Sequence, residues 1–167
     1  LTINASENYK IQSIQVNNND ISGVEGKDSY SDIITVQENT EIVVNFIRIW
    51  TVNVSYDSKD GIVYMDSQVI SGSVDIHEGK MFTLRAQPHH GYRVSEVDIT
   101  VNSVTNKTHF NENDFVYEKK FNTKNNYNFK ITFARNIYQV DVVKGPHGEV
   151  KTVQSVQHDD SFKVYLE

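Results

Sequence analysis

Apolar and polar residues alternate with a period of two along much of this chain. Trp50, Val52, Val54 and Tyr56 fall on one side of a run whose other positions, Thr51, Asn53 and Ser55, are small and polar. Successive side chains of a strand point to opposite faces, so this run predicts a half-buried strand with the larger residues inward. Tyr138–Val142 repeats the pattern, and Ile42–Phe46 and Phe129–Phe133 each set three apolar residues at i, i+2 and i+4. Phe115, Tyr117 and Phe121 continue it, with Lys119 on the same row. Turn-forming clusters separate these runs: Asp57–Gly61, His77–Gly79, His89–Gly91 and Gly145–Gly148. No stretch holds a 3.6-residue period, so the chain is expected to be all-β.

The strands also recur. Leu84–Val97 aligns with Leu1–Ile14 at an offset of 83, bringing Tyr92 onto Tyr9. Trp50–Val54 aligns with Tyr138–Val142 at 88, Gly61–Val63 with Gly148–Val150 at 87, and Phe82–Leu84 with Phe162–Val164 at 80. The drift places insertions in loops, chiefly within 65–72 and 104–114. A repeat of about 80–88 residues is long enough to hold a small core of its own, unlike a solenoid unit. The expected architecture is therefore tandem small antiparallel β-domains, β-sandwich or β-grasp-like. Two phases fit the sequence. The units run 1–83 and 84–167, or a complete repeat at 48–135 stands between partial repeats at 1–47 and 136–167. In the first phase both units are complete domains; in the second the partial repeats are complementary halves that pair within or between chains, since an orphan half would expose strand edges.

The same residues carry a resemblance. The order is Trp50-Thr-Val-Asn-Val54, Gly61-Ile-Val63, Phe82-Thr-Leu-Arg-Ala-Gln-Pro-His-His-Gly-Tyr-Arg-Val94, Val101-Asn102 and Phe129-Lys-Ile-Thr-Phe133. It resembles the divergent internalin-B-type B-repeats that occur in tandem on secreted and wall-attached proteins of Gram-positive bacteria. The likeness spans the whole chain, although Val97-Asp98-Ile99 stands where many such repeats carry Gly-Trp. The resemblance implies a small β-domain fold and an extracellular or wall-attached location. Within the repeat, Gly91 is expected to take a backbone angle that a Cβ would resist, Tyr92 and Tyr9 to turn inward, and Phe133 and Phe46 to plug the end of each unit.

Composition narrows the function. Of 167 residues, 38% are hydrophobic, enough for a core, and only two are Pro. Seventeen Asn suit turns, where the amide tolerates left-handed backbone. The net charge of −6, with Lys and Arg scattered, opposes a nucleic-acid partner. No apolar run approaches the roughly 20 residues of a membrane helix, so no membrane insertion is expected. No leader with a charged start and apolar middle opens the sequence, as expected of a mature or excised segment. The absence of Cys removes disulfides and thiolate chemistry.

No candidate catalytic constellation emerges. His77, His89, His90, His109, His147 and His158 lack the spacing of a metal site and read as solvated turn residues. Asp57–Gly61 fails the calcium-loop register at Tyr56, and Asp159-Asp160 aligns with a turn. There is no Gly-x-Ser-x-Gly elbow and no phosphate-cradling Gly loop. Three Asn-x-Ser/Thr sequons, at Asn4, Asn53 and Asn106, read as incidental to an Asn-rich chain. Trp50 and Tyr138 share a register that reads as core or junction. Tyr56 and Tyr64, near a sheet end, are the glycan-stacking candidates.

These readings converge on a non-enzymatic segment without cofactor or metal, acting as stalk and adhesion module. Its expected partners are neighbouring repeats of the same protein and a host or environmental protein or glycan. The rival reading is an accessory carbohydrate-binding module of a secreted glycan-degrading enzyme.

Overall fold

The alternation seen in the sequence becomes strands from end to end. The computed structural model describes residues 1–143, 145–148, 150–151, 155–163 and 165–166, with backbone alone for 150, 151, 165 and 166. Among them there is no helix. The aligned residues Glu149 and Val164, and Glu167, lie outside the described residues. In chain order the strands are β1 (Thr2–Asn4), β2 (Tyr9–Val16), β3 (Asn19–Asp20), β4 (Ser29–Ser31), β5 (Ile42–Ser55), β6 (Gly61–Met65), β7 (Gln68–Val69) and β8 (Gly72–His77). They continue with β9 (Met81–Pro88), β10 (Tyr92–Val101), β11 (Val104–His109), β12 (Tyr117–Asn122), β13 (Tyr127–Arg135), β14 (Ile137–Gln139), β15 (Val150–Lys151), β16 (Ser155–Gln157) and β17 (Tyr165–Leu166). The fold is all-β and built from several small, mostly antiparallel sheets.

The chain divides into two units. The first comprises Leu1–Val52, Val74–Met81 and Asn122–Asn126. Here β2 pairs with β3 and β5, and β1 with β4. Ile3, Ile11, Ile14 and Val24 form its core, with Ile21, Tyr30 and Val44 packed against them. Trp50 is half-buried under the Arg48 guanidinium, which lies 3.9 Å from the ring centroid.

The second unit comprises Asn53–Ser73, Phe82–Phe121 and Tyr127–Glu167. In it β10 lies between β11 and β13, and a separate sheet runs β12-β9-β6-β7. Its interior holds Val54, Val63, Leu84, Val94, Val97 and Ile131 around an aromatic group. Phe82 stacks on Phe121 at 5.4 Å and meets Phe129 edge-on at 6.2 Å. Such ring pairs add roughly 0.5–1.5 kcal/mol each beyond the area they bury.

The repeat is visible in backbone register. On β2 and β5, Tyr9 faces Arg48, Ile11 faces Phe46, and Ile14 faces Val44, with a bulge between Ile11 and Ser13. On β10 and β13, Tyr92 faces Arg135, Val94 faces Phe133, and Val97 faces Ile131, with a bulge between Val94 and Glu96. Every pair follows the same offsets, 83 on the first strand and 87 on the second. The entry turns match as well: Tyr9 N–H donates to Ser6 C=O, and Tyr92 N–H to His89 C=O, both at 3.0 Å. The left-handed residue that follows each of these carbonyls is Asn8 (φ 63) in one and Gly91 (φ 81) in the other. Glycine is required at 91 because a Cβ there would enter the His158 ring.

Two-residue turns close three hairpins, at Asn17-Asn18, Asp66-Ser67 and Asn102-Ser103. Both residues of each have positive φ, the primed geometry whose twist matches the strands it joins. The Asn-rich composition thus serves two of these three turns directly.

Some expectations do not hold. Phe133 is buried beside Gly61, where a Cβ would strike the ring, but its counterpart Phe46 is 42% exposed. Tyr92 is half-buried and Tyr9 exposed, so neither ring is fully inward. The Tyr138–Val142 run is a strand only over Ile137–Gln139, all exposed, because an alternating pattern buries a face only where another layer covers it.

Candidate functional site

Tyr64 and Tyr56 belong to separate clefts that share no lining residue. Tyr64 is on β6, directly across from Arg85 on β9. With Asp66, Ser67, Thr83, Arg85 and Glu118 it lines a cleft of about 580 Å³. The left-handed turn at Asp66-Ser67 shapes its rim. Asp66 Oδ1 accepts the Thr83 N–H at 2.8 Å, while Arg85 donates to Gln87 at 2.9 Å and lies 3.6 Å from Glu118. This set offers one aromatic face with hydroxyl and guanidinium groups around it, a combination suited to a sugar ring. Tyr56 borders a shallower depression of about 400 Å³ with Asp57, Asp60, Lys130 and Phe133. Its ring stands edge-on to Phe133 at 6.3 Å, so part of it serves packing.

His77 ends β8 and His109 ends β11, whereas His89, His90, His147 and His158 lie between strands. His89 donates its N–H to Asp60 C=O, and its ring Nδ1 lies 2.9 Å from Lys59 C=O, fastening two turns together. His90 stands edge-on to His158 at 5.2 Å. His77 C=O accepts the Lys80 N–H, and His109 and His147 are exposed. Among the described residues no group of three or more His, Asp and Glu is arranged to hold a metal ion. The Asp57 carboxylate accepts the Lys59 N–H at 3.0 Å, as in an Asx turn.

Three features carry more structure than the sequence disclosed. The first is a charge ladder on the edge strand β11. Lys107 lies 3.0 Å from the buried Asp98 and 3.6 Å from Glu96, and His109 lies 3.0 Å from Glu96. A hydrogen bond to Asp98, then the charges of Asp98 and Glu96, raise the Lys107 pKa above its ordinary value. Charged side chains on an edge strand oppose unwanted pairing there. The alternation Glu96-x-Asp98 against Lys107-x-His109 was the available signal.

The second is the neighbour relation of β5 and β13, the first and last strands of the full copy. Thr51 N–H donates to Asn126 Oδ1 at 2.8 Å and Asn53 Nδ2 to Asn128 Oδ1 at 2.6 Å, while Ser55 Oγ reaches Phe129 C=O at 3.3 Å. Residue numbers rise together on both strands, so the two run parallel.

The third is the joint after β13. Asn136 is fully buried and every polar group it has is used. Its N–H donates to Gly91 C=O at 2.8 Å and its C=O accepts from His158 at 2.9 Å. Its side chain accepts from Asp114 N–H at 3.0 Å and donates to Asp114 Oδ1 at 2.8 Å and Tyr138 Oη at 3.3 Å. Asn113 pairs with both backbone groups of Ile137, and Arg135 binds His158 C=O, Asp160 and Gln157. Arg93 also donates to Arg135 C=O. The chain therefore passes from β13 to β14 through a hydrogen-bonded joint with no flexible linker.

No family model, curated protein or solved structure matches this chain.

Proposed function

We propose that this chain is a non-enzymatic, tension-bearing segment of a bacterial surface or secreted protein, a stalk and adhesion module made of tandem β-repeats. The observation that carries this reading is the parallel adjacency of β5 and β13. Tension enters the full copy through the start of one strand and leaves through the end of the other. Parallel neighbours pulled from opposite ends load all their inter-strand bonds together, in shear, so none fails before the rest. Parallel pairing of first and last strands demands crossover connections, a topology that costs contact order and folding speed. The Asn136 joint fits the same purpose, because it passes load into β14 without slack. Neighbouring repeats are then the first partners, and a host or environmental protein or glycan the second. Single-molecule pulling tests the reading: abrupt unfolding at high force supports it, and gradual extension at low force overturns it.

A second reading, an accessory carbohydrate-binding module, rests on the Tyr64 cleft. A glycan array followed by calorimetry tests it. The module reading expects micromolar to millimolar binding that Tyr64→Ala abolishes. Equal binding by Tyr64→Ala and the wild type would remove this site.

A further inference from the structure

The depression beside Tyr56 adjoins another. Its wall at Ser55 and Lys130 is shared with a depression of about 500 Å³ on the face of β11, β10, β13 and β5. Both belong wholly to the second unit. Strand register explains the lining. Thr105 faces Thr100, which faces Asn128, while Lys107 faces Asp98, which faces Lys130. Directly paired residues of neighbouring strands point to the same side, so two polar rows cross the sheet. On β5, Asn53 extends the first row by donating to Asn128 Oδ1 at 2.6 Å. Four strands about 4.8 Å apart carry the rows over roughly 14 Å.

Three polar groups along this trough are left unused by the protein. Asp98 is 7% exposed and its Oδ2 lies 3.0 Å from Lys107, but its Oδ1 is buried without a hydrogen-bond partner. Buried acceptors are rarely left so, and this one calls for a donor that the chain does not supply. Lys130 and Asp60 are the other two. Among the described residues, neither side chain forms a hydrogen bond or an ion pair. The Tyr56 ring, edge-on to Phe133, stands at the end of the trough away from the polar rows.

The chemistry of this set selects its ligand. The aromatic ring suits the C–H face of a sugar. A carboxylate accepts from hydroxyls, and an ammonium, with three donors and no acceptor, gives to hydroxyl and ring oxygens. The unpaired side chains of Lys130 and Asp60 carry opposite charges, which favours no net charge on the ligand. The chain's net charge of −6 repels a polyanion.

We propose that this trough binds a neutral glycan chain, with one sugar ring against Tyr56 and the chain running past Lys130 towards Thr100 and Asn128. The proposal rests on the reading that the segment meets a glycan, and it assigns that glycan a face other than the Tyr64 cleft.

Calorimetry on the intact chain tests it, with neutral gluco-, manno- and galacto-oligosaccharides as probes and hyaluronan fragments as the acidic comparison. The wild type should bind at least one neutral oligosaccharide and should not bind hyaluronan. Tyr56→Ala and Lys130→Ala should each weaken binding about tenfold or more, whereas Tyr64→Ala should bind as the wild type does. Lys130 makes no side-chain bond within the protein, so its variant keeps the fold even if Tyr56→Ala does not. Full affinity in both Tyr56→Ala and Lys130→Ala overturns this site alone and leaves the glycan reading to the Tyr64 cleft. Preference for hyaluronan over every neutral oligosaccharide overturns the proposal as well. No binding to any of the probes overturns the trough and the glycan reading together.

Discussion

Replacing Asn136 by Asp changes one NH₂ for one oxygen at a fully buried position. The Asp114 N–H can still donate to residue 136, but both donations from the amide nitrogen disappear. A carboxylate oxygen then faces Asp114 Oδ1, 2.8 Å from the position the nitrogen occupied. Two lost hydrogen bonds cost about 2 kcal/mol together, and the buried negative charge adds to this. Asp114 itself is exposed, so water screens part of the repulsion, and the total at pH 7 is about 2–4 kcal/mol. Burial and the neighbouring carboxylate both raise the pKa of the new acid above its unfolded value, roughly 3.9. A raised folded-state pKa means the charge penalty is absent below about pH 4 and grows as pH rises through the folded value. Urea denaturation of wild type and Asn136→Asp at pH 7 and pH 4, compared as differences, reads both effects. A deficit below about 1 kcal/mol at pH 7, or an equal deficit at both pH values, would refute the account of this joint.

The remaining predictions concern the core, a buried phenol and the Tyr64 cleft. Phe133→Ala should destabilise the second unit by about 3–5 kcal/mol, whereas Phe46→Ala should cost under about 1 kcal/mol; equal losses in denaturant melts would contradict the burial difference. Burial pushes the Tyr117 phenol up to about 12. Its contribution to stability is therefore intact below about pH 10, the ordinary tyrosine value, and lost as pH rises from there towards 12. Ultraviolet titration should show a late ionisation that Tyr117→Phe removes, and a tyrosine spectrum complete by pH 11 would contradict it. If the Tyr64 cleft takes sugars, aromatic replacement by Phe should retain most of the affinity that Ala loses, since stacking needs the ring face and not the hydroxyl.

Much of the fold is legible in local pattern, because burial of alternate residues is written into the order of side chains. Val52 and Val54 are buried as their alternation requires. Gly91 takes the left-handed angle its turn demands, and the offsets of 83 and 87 reappear in strand register. What local pattern omits is whether a second layer arrives. Phe46 and Phe133 occupy the same place in the same motif, yet one is exposed and the other packed against Gly61. Tyr138–Val142 has the alternation of Trp50–Val54 without its burial. The parallel pairing of β5 and β13 joins residues some 75 positions apart, and nothing in either strand names its neighbour. The Tyr64 cleft has the same character: Tyr64, Arg85 and Glu118 meet only through strand order. Asn136 looked like one more polar residue among seventeen, because a buried amide is distinguished by its partners and not by its neighbours in sequence.

The most direct test of the load-bearing claim compares two pulling directions on the same molecule. The chain has no Cys, so pairs of Cys handles can be placed uniquely. Handles at Asn45 and Ile137 pull β5 and β13 from opposite ends. Handles at Asn45 and Lys124 pull both from the same end and open their bonds one at a time. The account predicts a several-fold higher unfolding force in the first geometry, in a single step releasing roughly 30 nm at ~3.4 Å per extended residue. Equal forces in the two geometries would contradict it.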